Sequence, residues 1–127
     1  MAFALATSAG TVASRRGYAQ APWIWGVGLS AASATAYSAG IRTYNGAIGV
    51  DSDRKAVTTV LEVAQRQGLA TGLVATVAIT HATPASFIAH QSSRVLYESI
   101  AADFLETEID YFVGGGKQYF DRRKEDN

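Results

Sequence analysis

The sequence predicts an α/β fold, on the order in which its apolar patterns succeed one another. Twice an amphipathic helical pattern gives way to a short β-branched and apolar run: Val57, Val60, Leu61 and Ala64 precede Gly72–Val77, and Leu96, Ile100 and Phe104 precede Ile109–Val113. Two strands with several crossovers make too small a sheet for a free-standing α/β unit. The pattern therefore reads as a slice of a larger sheet.

The elements follow in chain order. Met1 to Ala21 ends in Ala19, Gln20 and Ala21, the small-x-small form of a cleavage site. Its apolar run MAFALA is short, however, and Arg15–Arg16 follow it, the reverse of a secretory leader, so a poorly ordered N-terminus is expected. Ser30 to Ser38, SAASATAYS, is a run of small residues suited to a helix lying close against a sheet, with Gly40 placed to end it. Asp51 and Asp53 offer N-caps to the next helix, which Gly68 stops. Gly72 to Val77 is a buried strand leading into Ile79–Ala82, and Pro84 opens a short helical turn through Ala89. Leu96, Ile100 and Phe104, at i, i+4 and i+8, mark a helix from about Arg94 to Thr107. A second strand, Ile109 to Val113, runs into Gly114–Gly116, and the tail from Asp121 to Asn127 is a solvated charged end. There is no internal repeat.

Composition narrows the chemistry. Of 127 residues 48% are hydrophobic and only 17% charged, which excludes a disordered or solvating segment and describes a chain with much to bury. Eleven basic and eleven acidic residues cancel, so no global field draws nucleic acid or an anionic membrane. No run reaches the roughly 18 apolar residues of a membrane span. The absence of cysteine excludes disulfides, thiolate metal sites and cysteine nucleophiles. The acids are unevenly placed: the first carboxylate is Asp51, so the first fifty residues offer no hard oxygen ligand of that kind.

A serine in the first turn of a helix sits where unpaired N–H groups and the helix dipole favour an anion, and Ser30 has that placement. The pattern leaves two roles open for it, a phosphoryl-accepting hydroxyl or a helix cap. The residues go further. SAASATAYSAGIRTYNGAIGVD from Ser30 to Asp51, the helix LEVAQRQGLATGLV, THATPASFIAHQSSR from Thr80 to Arg94, and IDYFVGGGKQYF from Ile109 to Phe120 resemble the alkaline phosphatases, in that family's order and with similar spacing. The resemblance covers positions 30–124. It implies a partial three-layer α/β sandwich at 30–124, with a divergent N-terminal segment at 1–29 and a charged tail at 125–127.

The resemblance also implies hydrolysis of phosphate monoesters through a covalent phosphoserine, with zinc and magnesium as cofactors, homodimerisation, and a periplasmic or secreted location. Ser30 matches the nucleophile, which also contacts zinc, and Arg94 the arginine that clamps two phosphate oxygens, a task suited to a planar guanidinium. Thr83 matches a hydroxyl ligand of magnesium. His81 matches a position behind that metal's direct ligands. His90 carries no catalytic role from the resemblance. Without the family, Arg94 is a surface arginine, His81 a strand-end histidine and Thr83 a cap of the Pro84 turn.

Three departures matter. Leu29 stands where the family has an aspartate that steadies the phosphate arginine, and leucine accepts no hydrogen bond. The family's GDG segment, with its bridging metal carboxylate, finds no counterpart in the acid-free first fifty residues. Most of the family's remaining metal ligands match nothing before Asn127. A metal-activated serine needs several protein ligands per ion, so the isolated chain is expected to be inactive and poorly stable. The alternative is a non-catalytic truncated paralogue acting as a small α/β interaction module. A metal-free triad of Ser30, His81 and a carboxylate is disfavoured, because no G-x-S-x-G elbow surrounds Ser30.

Overall fold

The computed structural model describes residues 4–5 and 29–121 of the 127. Apart from residues 4–5, the leader-like stretch and its cleavage form lie outside the described residues, as does the charged tail from 122 onward. The elements are β1 (Ala4–Leu5), α1 (Leu29–Ala39), α2 (Val60–Arg66), β2 (Gly72–Ala78), α3 (Ala82–Ala85), α4 (Tyr97–Glu106), β3 (Tyr111–Gly115) and α5 (Gln118–Asp121). The three strands form one parallel sheet in the order β1-β2-β3. The fold is α/β as expected, with one strand more than the sequence pattern supplied. β1 is two residues long, too short to carry an alternation.

Register explains the two faces of the sheet. Leu73 lies beside Phe112 and Val74 beside Val113, so the strand period of two sends each pair to opposite sides. Leu73 and Ala75 are buried in the core with Ile79, Ile88, Ile100 and Phe104, and Phe112 packs against them. On the other side Val74, Tyr111 and Val113 are 43%, 60% and 42% exposed, which leaves that face open among the described residues. The starts of β2 and β3 are pinned together where the Thr71 N–H donates to Asp110 Oδ2 at 2.7 Å.

α1 runs one residue to either side of the predicted Ser30–Ser38 span, and Gly40 ends it with φ +72, a left-handed conformation that glycine adopts at no steric cost. Its small residues do serve close approach, but the main partner is α3 rather than the sheet. Ser38 Oγ donates to Ser86 O at 2.5 Å and Ser86 Oγ to Ala31 O at 3.4 Å. Buried hydroxyls thus take the place of larger apolar side chains at a tight helix contact.

α2 is shorter than predicted and begins at Val60. Asp51 and Asp53 do not cap it. Asp51 Oδ1 instead accepts from the N–H groups of Asp53 and Lys55, both at 2.9 Å, and organises a turn of its own. The cap is Thr59, whose hydroxyl accepts from Glu62 N while Glu62 Oε2 accepts from Thr59 N at 2.7 Å, a reciprocal capping box. α4 likewise starts three residues later than Arg94, which leaves Arg94 in the turn before the helix.

Candidate active site

Three elements converge at the carboxyl end of β2. α1 places Ser30 in its first turn, where backbone N–H groups lack helical partners. After β2 the chain turns, and His81 becomes the N-cap residue of α3 with φ −67 and ψ 152, making no side-chain cap bond, so its ring is free to face elsewhere. Arg94 Nη1 donates to Ser30 Oγ at 2.7 Å, and Arg94 Nη2 lies 3.3 Å from His81 Nε2. Residues 64 and 13 positions apart are thereby joined by one guanidinium.

The geometry fixes proton positions. A guanidinium only donates, so His81 Nε2 must accept and the ring carries its proton on Nδ1. Burial, and then the neighbouring Arg94 charge, push His81 below its ordinary value of 6.5, in keeping with a neutral ring. Among the described residues its buried Nδ1 has no hydrogen-bond partner, nor has Thr80 Oγ1 beside it in sequence. Ser30 Oγ accepts from Arg94, so its own proton remains available to leave, and a cation beside the oxygen favours the alkoxide. His81 is not placed as a base for Ser30: its Nε2 faces Arg94 and no carboxylate among the described residues meets its Nδ1, so the triad disfavoured from sequence is not formed among them.

Thr83 is the second residue of α3 and half-buried. One hydroxyl and one imidazole do not make a metal site, because a hard divalent cation takes about six oxygen ligands. Among the described residues no group of three or more His, Cys, Asp or Glu is placed to hold an ion. The residues present do not fit a resident zinc or magnesium by themselves, and no chemical step is drawn through one.

The segment leading to Arg94 is held by residues that the sequence did not single out. Gln91 pairs its backbone with Ile48 at 3.0 and 2.9 Å, and Tyr44 Oη donates to Ser92 O at 2.7 Å. His90 Nδ1 lies 2.7 Å from Gly49 O and its Nε2 lies 3.0 Å from Glu62 Oε1, so each ring nitrogen faces an acceptor. The His90 N–H donates to Asp103 Oδ2 at 2.8 Å, and Gln91 Nε2 lies 3.0 and 2.9 Å from the two Asp103 oxygens. Only the T-x-x-E spacing of Thr59 and Glu62 was a readable signal here. Partners 41, 28 and 13 residues apart leave no periodicity.

Glu62 ties this cluster to pH. Burial pulls its carboxyl upward, but the Thr59 N–H, then the His90 hydrogen bond and charge, outweigh that and leave it below its ordinary value of 4.5. A depressed carboxyl stabilises the fold in full above 4.5 and loses that contribution as pH falls through the lowered value. The Glu62→Gln variant should therefore be less stable than the parent at about pH 5.5, with the gap between the two urea midpoints narrowing as the pH is lowered from there. A gap that stays constant as the pH falls would contradict the assignment.

Known proteins are similar to this chain. A family model described as Alkaline phosphatase matches residues 5–127. Alkaline phosphatase 3 of Bacillus subtilis is 56% identical over 100 residues, covering 74% of this chain and 22% of that protein. The alkaline phosphatase of Escherichia coli is 42% identical over 110 residues, 72% of this chain and 23% of its own. The solved alkaline phosphatase of the Antarctic bacterium TAB5 superposes with a TM-score of 0.73 at 52% identity, over 76% of this chain and 29% of that one. A variant of that enzyme, similar to this chain at 54% identity and a TM-score of 0.73 over 75% of this chain and 28% of its own, was solved with magnesium bound. The chain thus spans less than a quarter of the length of these curated relatives.

Proposed function

This chain belongs to the alkaline phosphatase family, and from that premise we propose that it carries the nucleophile and the phosphate clamp of a phosphate monoester hydrolase working through a phosphoserine on Ser30. The observation that carries the reading is the 2.7 Å bond between Arg94 and Ser30 Oγ. A phosphoryl group attacked by that oxygen would lie within reach of the guanidinium, whose fork matches two phosphate oxygens. In the reaction the Ser30 oxygen bonds to phosphorus as the ester oxygen leaves and takes up the serine proton to depart as the alcohol, and water then attacks the same phosphorus, giving one proton back to the serine and releasing inorganic phosphate. Arg94 holds the developing negative charge through both displacements.

Leu29 fits this reading because the guanidinium has other partners, Ser30 and the neutral His81. Thr83 and His81 are assigned to the magnesium side of the site, and zinc to the serine side, each requiring ligands beyond those among the described residues. The 127-residue chain alone is therefore expected to bind phosphate but not to turn over substrate. Residues 30–124 are the phosphatase-like unit in this proposal. Homodimerisation and a periplasmic or secreted location complete it. Among the described residues no helix is long and apolar enough to cross a membrane. The open face at Val74, Tyr111 and Val113 favours a second reading, a non-catalytic interaction module.

Hydrolysis of p-nitrophenyl phosphate at alkaline pH with zinc and magnesium tests the reading, comparing the chain with Ser30→Ala and with an EDTA-treated sample. No release above the Ser30→Ala background is expected. Release that disappears in both controls would overturn the expected inactivity and show that ligands come from another chain or from residues of this one not assigned above.

A further inference from the structure

We propose that Asp103, on α4, is a positioning residue for Arg94, an inference that rests on the phosphate-clamp reading only for its use in chemistry. Arg94 pairs with no carboxylate among the described residues; its partners are a hydroxyl and an imidazole. Its orientation therefore depends on the chain that delivers it. That chain enters at His90 and Gln91, where one Asp103 carboxylate accepts from the His90 N–H at 2.8 Å and lies 3.0 and 2.9 Å from Gln91 Nε2.

The chain leaves Arg94 by running into α4 at Tyr97. Asp103 lies further along that same helix, so both ends of the arginine loop are fixed to one rigid element. The contacts to Ile48 and Tyr44 tie the loop to the 44–49 segment instead, and do not set its angle to α4. Because Arg94 has no ionic partner of its own among the described residues, the charge that orders it acts through the chain before it, at the His90 N–H and the Gln91 side-chain amide.

The test reads the Arg94 guanidinium in the full 127-residue chain by nitrogen-15 NMR, with Arg94→Lys identifying its signals and the Arg66 side chain as an internal control. In Asp103→Ala, rotation within the Arg94 guanidinium should quicken by about tenfold, the loss expected when a hydrogen bond to a charged group is removed. Arg66 should not change. Asp103→Asn should recover part of the restraint, because its side-chain carbonyl can still accept from His90. If Asp103→Ala does not fold, Gln91→Ala removes the amide contacts and leaves α4 intact, and the same quickening is expected. Arg94 signals unchanged in either folded variant overturn the proposal. Inorganic phosphate added to the parent chain separates the two readings: Arg94 signals that ignore phosphate yet loosen in Asp103→Ala sink the phosphate clamp and leave the positioning role standing.

Discussion

Replacing Gly49 with alanine is expected to destabilise the chain severely. A Cβ at this position would lie 2.1 Å from Ala89 O and 2.9 Å from His90 Nδ1, and φ is +57. Ala89 O belongs to the backbone of the segment that carries the site, so no flexible side-chain end can swing away. Relief by moving the Gly49 backbone is also blocked. Its N–H donates to Thr35 Oγ1 at 3.1 Å, and its carbonyl accepts from Val57 N at 3.0 Å and faces His90 Nδ1 at 2.7 Å. Strain and lost hydrogen bonds together are expected to cost about 4 kcal/mol or more, against a total stability of roughly 5–15 kcal/mol for a domain. Circular dichroism through a urea series checks this, and a variant whose stability falls by less than about 1 kcal/mol would refute it.

Truncation of Phe104 is the second large effect. The side chain is 1% exposed and meets Phe112 edge-on at 5.2 Å and Phe120 at 6.5 Å between ring centroids. It is the point where α4 is fastened to the β3 side of the core. Phe104→Ala is expected to lose about 3–5 kcal/mol, the transfer cost of the ring plus the cavity it leaves. Phe104→Leu should lose less, since leucine refills part of that volume. Equal losses in the two variants would show that the ring edge contacts matter more than volume. Because Asp103 precedes Phe104 on the helix, slackening this anchor should also loosen the arginine loop.

What could be read from the residues alone was local. The small-residue run of α1, the β-branched run of β2, and the apolar spacing of α4 each record a partner surface in their own sequence, and all three elements are present. The helix starts were misjudged where two local chemistries compete: Asp51 can cap a helix or close a turn, and it closes a turn. Thr59 won the cap because Glu62 returns its hydrogen bond. At the candidate site, Ser30, His81 and Arg94 were legible through the family resemblance, and the structure brings them into contact. His90, Glu62 and Asp103 were not, because each acts on a segment distant in sequence and none differs in type from an ordinary surface residue.

The bond between Arg94 and Ser30 spans 64 positions, and that span has a consequence for the order of events during synthesis. Translation runs from Ser30 through α1, α2, β2 and α3 before the codon for residue 94 is reached, so the serine leaves the ribosome long before its cation exists. Closing so long a span carries a loop-entropy cost that the helix and strand contacts between must meet first. A nascent chain interrupted before residue 94 has the serine of the first turn of α1 but no Arg94 to meet it.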